Sequence, residues 1–245
     1  MPRQAAHASR AILITRPEPG SAESARAVAA LGWEAVLAPA LTLTALPFKA
    51  PHHCQAIIIT SRAAARALPL VALPVIAVGE ATAAEARARG FGDVRAAAGD
   101  AQALAALIGV TLKPEAGTLC LAVGEGYALD LAEALRAKGF RVIRRVVYAA
   151  RPSTELPKHA RQAIQEGRIH AALFTSPRSA QEAMRLLNDA GLQKAIQSII
   201  AIALSPRIAA VLAALPWAAI RSAAAPNHAA LLTCLGHADM LGSSA

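Results

Sequence analysis

Aromatic residues are scarce: Phe, Trp and Tyr make up 3% of the 245 positions, and only two are tyrosines. A protein that grips single-stranded nucleic acid needs ring faces on which bases can stack, so this supply argues against that class. Cysteine is as rare. Cys54, Cys120 and Cys234 are odd in number, far apart in the chain and form no C-x-x-C pair. Neither a disulfide framework nor a structural zinc site is expected from them. The seven histidines show no H-x-x-x-H spacing. The adjacent His52 and His53 sit in a proline-flanked stretch that reads as a solvated loop rather than a metal site. Long hydrophobic runs are missing too. The longest, between Arg207 and Arg221, contains Pro216 and falls short of the ~20 residues of a membrane span. Met1 to Arg10 is polar and lacks the apolar core of a signal peptide. These absences predict a cytoplasmic protein with no membrane partner.

Nucleotide and covalent-catalysis motifs are missing as well. There is no Walker A sequence and no G-x-S-x-G elbow. Gly124-Glu125-Gly126 follows an apolar run, as in a dinucleotide-binding turn, but Leu129 occupies the place of the third glycine. No cofactor and no metal are expected.

What the chain does have is apolar material, 55% of its residues, and a net charge of +9. Its length fits one large domain or two small ones. The 25 basic residues divide into 20 Arg and 5 Lys. A basic surface favours an anionic partner, and arginine forks onto carboxylates through two parallel hydrogen bonds. An Ala- and Arg-rich composition also follows from a GC-rich genome, which says nothing about where the arginines sit.

Six short apolar runs stand out: Ala11 to Ile14, Ala56 to Ile59, Val75 to Val78, Thr118 to Leu121, Ala171 to Phe174 and Ile199 to Ile202. Continuous apolar runs of this length suit strands buried on both faces. Each is followed by a small or polar turn and a helical pattern, which predicts a parallel α/β fold. The units recur in order. One kind (strand, helix, glycine, second strand) appears as ILITRPEPGSAESARAVAALGWEAVLAPAL and again as LCLAVGEGYALDLAEALRAKGFRVIRRVVY, with Gly32-Trp33 and Gly139-Phe140 closing the helices. A second kind appears as AIIITSRAAARAL and AALFTSPRSAQEAM. The third begins at VIAVGEATA and at IIAIALSPR. An ordered triple, repeated once, predicts two similar α/β lobes.

In open parallel sheets, ligands bind beyond the carboxyl ends of the strands. There the chain carries Thr15-Arg16, Thr60-Ser61-Arg62, Gly79 with Thr82, Gly124, Thr175-Ser176 with Arg178, and Ser205 with Arg207. A hydroxyl in such a place caps the next helix, and a glycine lets a ligand approach the backbone. Arginine at a helix start opposes the helix dipole. Its recurrence at four of the six strand ends points to an anion site built from helix amides and guanidinium groups.

Taken together, the opening strand-TRP, ITSRAAARAL, VIAVGEATAAEARARGF, GFRVIRRVVYAARP, LFTSPRSAQEAM and AIALSPRIAAVL resemble the uroporphyrinogen-III synthase family from about Ile12 to Leu235. The resemblance implies two α/β lobes, each a parallel sheet flanked by helices. Two extended linkers, near Ala38 to Leu46 and Val146 to Pro152, would join them, with a cleft between. The first lobe would be discontinuous, 1–40 plus 150–245, and the second 41–149. It implies a monomeric lyase that binds the octacarboxylate hydroxymethylbilane, inverts ring D, loses water and closes the ring without a cofactor. By motif position Tyr148 becomes the candidate catalytic group. Thr15, Arg16, Thr60, Ser61, Arg62, Gly79, Thr82, Gly124, Thr175, Ser176, Arg178 and Ser205 become candidate substrate contacts. The chain departs from the family's pattern where LAVGEGYALDL lacks an arginine after the fourth strand and where Ser205-Pro206 replaces a glycine-containing turn. The alternative reading is a non-catalytic, two-lobed polyanion-binding protein. Further rivals are a nucleotide- or methyl-donor-binding enzyme that uses the Gly124 turn, and a nucleic-acid binder driven by charge alone.

Overall fold

The structure is a computed structural model and describes residues 10–125, 128–236 and 238. The readings made for residues 1–9 and for Gly126 lie outside the described residues. In chain order the elements are β1 (Ala11–Ile14), α1 (Gly20–Ala29), β2 (Glu34–Leu37), β3 (Leu41–Ala45), β4 (Cys54–Ile59), α2 (Arg62–Ala67), β5 (Val75–Ala77), α3 (Glu80–Ala88), β6 (Val94–Ala96) and α4 (Ala101–Thr111). They continue with β7 (Thr118–Gly124), α5 (Leu129–Ala137), β8 (Val142–Pro152), α6 (Lys158–Gln165), β9 (Ile169–Phe174), α7 (Pro177–Asp189), β10 (Ile200–Ala203), α8 (Pro206–Leu212), β11 (Ala219–Ser222) and α9 (His228–Leu235).

All six apolar runs are strands of parallel-dominated sheets, as expected of an α/β fold. One sheet has the order β11-β10-β9-β1-β2 and the other β3-β8-β7-β4-β5-β6. The pairs β1/β2, β1/β9, β9/β10 and β10/β11 are parallel, as are β4/β5, β4/β7, β5/β6 and β7/β8. Compared strand by strand, β2-β1-β9-β10-β11 repeats as β8-β7-β4-β5-β6. The sequence repeat is thus distributed crosswise. Each sheet takes its first kind of unit from one copy of the repeat and the other two kinds from the other copy. By compactness, one unit runs to Thr42 and resumes at Pro152, and the other spans Leu43–Arg151. The chain passes between them within β3 and at the end of β8.

Both faces of each sheet are covered, which is why the inner strands read as unbroken apolar runs. Side chains alternate across a strand. Ala11 and Leu13 join the cluster built with α6, α7 and α8, whereas Ile12 and Ile14 join Val28 of α1 and Leu231 of α9. In the second sheet, Ile58 and Leu121 face α4 and α5, and Ile57, Ile59 and Cys120 face α2 and α3. Two helix ends show how the repeated Gly-aromatic pair works. Gly32 and Gly139 take φ of 82° and 86°, the left-handed region. That turn lets the next amide reach back, Trp33 N to Val28 O at 3.3 Å and Phe140 N to Leu135 O at 3.2 Å. This closure swings each aromatic ring into a core, leaving Trp33 and Phe140 buried.

Candidate active site at the strand carboxyl ends

In the Leu43–Arg151 unit, the end of β4 leads through Thr60 and Ser61 into α2. Ser61 caps that helix, its Oγ accepting from Ala64 N at 3.1 Å. The same oxygen lies 3.4 Å from the phenol oxygen of Tyr148. Tyr148 is half-buried in β8, and a register shift brings it there. Val123 pairs with Val146, but Gly124 pairs with Tyr148. The extra residue, Val147, turns into the core. A bulge of this kind re-aims the side chain that follows it. The phenol then lies directly over Gly124: a Cβ there would stand 2.5 Å from Tyr148 Cζ and 2.6 Å from its Oη. Only glycine leaves room for the ring. Ser61, Gly124 and Tyr148 are therefore brought together. Thr60 and Arg62 flank Ser61 in the chain. Gly79 caps α3 at the end of β5, the strand next to β4, and Thr82 is buried in the first turn of that helix.

In the other unit, Thr15 and Arg16 follow β1. Thr15 is buried, and its hydroxyl donates to Leu173 O at 2.8 Å. Ser179 Oγ donates to Thr15 O at 3.0 Å. These two bonds tie the end of β1 to β9 and to α7, so the Thr15 side chain is occupied within the fold. Arg16 folds its guanidinium against Gly20, where a Cβ would collide with it. Its Nη1 donates to Ser24 Oγ at 3.4 Å, and that oxygen lies 3.1 Å from Nε2 of His228 at the start of α9. Burial first, and the Arg16 charge second, hold the His228 pKa below its ordinary value, against a smaller opposing effect of Glu23. Thr175 and Ser176 follow β9. Ser176 caps α7 by accepting from Ser179 N at 3.1 Å, and Arg178 is the second residue of that helix. Ser205 is the N-cap residue of α8 and makes no side-chain cap bond.

Every candidate thus sits at a strand carboxyl end or on β8, in two sets, one per unit. Ser24 and His228 join Arg16 without having been singled out in the sequence. The partners lie 204 positions apart, and a lone histidine after Pro226-Asn227 reads only as the start of a capped helix. Chemically, the Tyr148 set offers a phenol beside a hydroxyl. The Arg16 set offers a guanidinium and a histidine kept mostly neutral near pH 7. No described helix is long and apolar enough to cross a membrane.

The chain resembles a uroporphyrinogen-III synthase from Helicobacter pylori, with a TM-score of 0.59, 17% identity, and coverage of 92% of this chain and 98% of that one. A mutant uroporphyrinogen III synthase from the extremely thermophilic bacterium Thermus thermophilus matches at a TM-score of 0.43, 16% identity, and coverage of 92% and 97%. At 17% identity, the Helicobacter pylori match is a likeness of fold. No curated protein sequence matches the chain. The sequence profile described as uroporphyrinogen-III synthase HemD matches residues 22–233, and by that match the chain belongs to the uroporphyrinogen-III synthase family, enzymes of haem biosynthesis.

Proposed function

We propose that this protein converts hydroxymethylbilane to uroporphyrinogen III, a cyclising hydro-lyase reaction with inversion of ring D. The family match over residues 22–233 carries the reading. In this account Tyr148 assists departure of the substrate hydroxyl as a hydrogen-bond donor or acid. Ser61, 3.4 Å away, orients the phenol, and Gly124 keeps its place open. Arg16, Arg62 and Arg178 take substrate carboxylates. The backbone amides at the start of α3, and those at the start of α7, provide dipoles suited to anionic groups. Thr82 and Thr175 present hydroxyls at those ends. The uncatalysed closure gives the uninverted isomer, so the enzyme's task is largely to hold the rings where only one closure is reachable. We propose further that it acts as a monomer in the cytoplasm and binds no nucleic acid.

The test of the chemical role is Tyr148→Phe. Its turnover number should fall about a hundredfold, the scale of a lost general acid, while the Michaelis constant changes little. An unaltered turnover number would remove the hydroxyl from the mechanism. Arg16→Ala and Arg178→Ala should each raise the Michaelis constant by about tenfold, the scale of one charge-assisted hydrogen bond. If both leave it unchanged, those arginines do not hold the substrate.

A further inference from the structure

The amino ends of the strands in the Leu43–Arg151 unit carry a second basic feature, at the opposite end of that sheet from Tyr148 and Ser61. A cavity of about 650 Å³ opens beside the segment leading into β4 and the start of β8. Lys49, His52, His53, Arg141 and Arg145 line it, no carboxylate does, and the rest of the lining is apolar. Some exposed arginines elsewhere pair with acids: Arg66 with Glu85, Arg87 with Glu80, Arg168 with Glu34 and Glu166, Arg185 with Glu182 and Asp189. Among the described residues, Lys49, Arg141 and Arg145 have no such partner.

The segment is also held in place. His53 has a left-handed backbone, φ 52°, and its carbonyl accepts from Thr118 N at 2.8 Å. Gly117 packs on that carbonyl so closely that a Cβ would stand 2.5 Å from the oxygen. A non-glycine residue in this conformation costs on the order of 1 kcal/mol and persists only where its surroundings enforce it. The histidine pair, a solvated loop by sequence, thus belongs to a held segment that lines the same cavity as Arg141, just before β8, and Arg145 within it.

We infer that this cavity is a binding site for a small multivalent oxyanion, a phosphate ester or a polycarboxylate, separate from the candidate active site. Two guanidinium forks and an ammonium supply three permanent charges matched to oxyanion geometry. The volume falls within the range of small-ligand sites, about 300–1,000 Å³. The lining has no Phe, Tyr or Trp on which a base could stack, which sets nucleic acid behind a small molecule.

Calorimetry on the full chain tests this, with sodium pyrophosphate and citrate as the two probes. A saturable single-site heat is expected from at least one, and the tighter of the two identifies the ligand as phosphate or carboxylate. Arg141→Ala/Arg145→Ala should weaken it by about tenfold or more. Lys49→Ala, a milder change on an exposed segment, should weaken it in the same direction. A control that removes the same charge outside the cavity, Arg89→Ala/Lys138→Ala, should leave it unchanged. Absence of saturable heat from both probes at millimolar concentration would overturn the inference. So would equal losses in the control, or a duplex oligonucleotide that competes for the same site. None of these readouts depends on turnover of the bilane.

Discussion

A methyl group at position 124 would strike the phenol ring of Tyr148, so the glycine's role is steric. Gly124→Ala should displace the ring and lower turnover, by about a hundredfold if the phenol shifts by about an ångström, although residue 124 need not touch substrate. Kinetics matching wild type would show that the phenol's position is not critical. Cys54 gives an independent check on side-chain placement. A hydrogen bond from Cys120, the largest influence, lowers the Cys54 pKa to about 7 against the opposing effect of burial. Its alkylation by iodoacetamide should rise with pH through about 7, and Cys120→Ala should move that rise upward. A normal thiol profile in the wild type would contradict the contact. At this scale the sequence shows the rare tyrosine and the glycine after the fourth apolar run, because each is a residue type with a known use. It hides the bulge that joins them and the Cys54–Cys120 contact, because both arise from how β7 pairs with β8 and β4. It hides His228 because its partner Ser24 lies 204 positions away in the chain.

Helix α7 begins at Ser176-Pro177, and the serine's hydroxyl takes the amide of Ser179. Ser176→Ala should cost about 1 kcal/mol in denaturant unfolding. A loss near zero would mean that Ser179, tied to Thr15 O, fixes the helix start alone. Between elements, burial decides what sequence can show. The inner strands β1, β5 and β7 are buried at every position and stand out as apolar runs. The edge strands do not: β6 reads Val-Arg-Ala and is nowhere fully buried, and β11 is exposed throughout. Half-solvated edges carry no run to detect, so neither reads as a strand in the sequence. The segment expected to be an extended connection near Ala38 to Leu46 contains β3, which hydrogen-bonds beside β8. The other expected connection, near Val146 to Pro152, is the continuation of β8 itself.

Across the whole molecule, the repeated order of units is legible, but the sheets in which they land are not. Sequence order suggests two contiguous halves, whereas β1 pairs with β9 and β7 with β4. Nothing local in those runs specifies a partner, since each is simply apolar on both faces. Resemblance to the family supplied a discontinuous arrangement where periodicity could not. Charge is likewise global. Burial, then neighbouring arginines, lower the pKa of His170, and burial, then Arg16, lower that of His228. The unfolded chain therefore binds more protons than the folded one as pH falls below 6.5, the ordinary histidine value. Stability should be full above that pH and decline beneath it. Urea midpoints for the full chain should fall between pH ~7 and pH ~5, and less so in His170→Phe/His228→Gln; an unchanged slope in that variant would assign the decline to other groups. The central claim is that this chain steers the closure of a bilane. It is tested most directly by incubating freshly made hydroxymethylbilane with and without the protein, oxidising the products and separating the uroporphyrin isomers. Predominant type III in the presence of the protein is the predicted result. Type I alone, formed at the uncatalysed rate although folded protein is present, would contradict it.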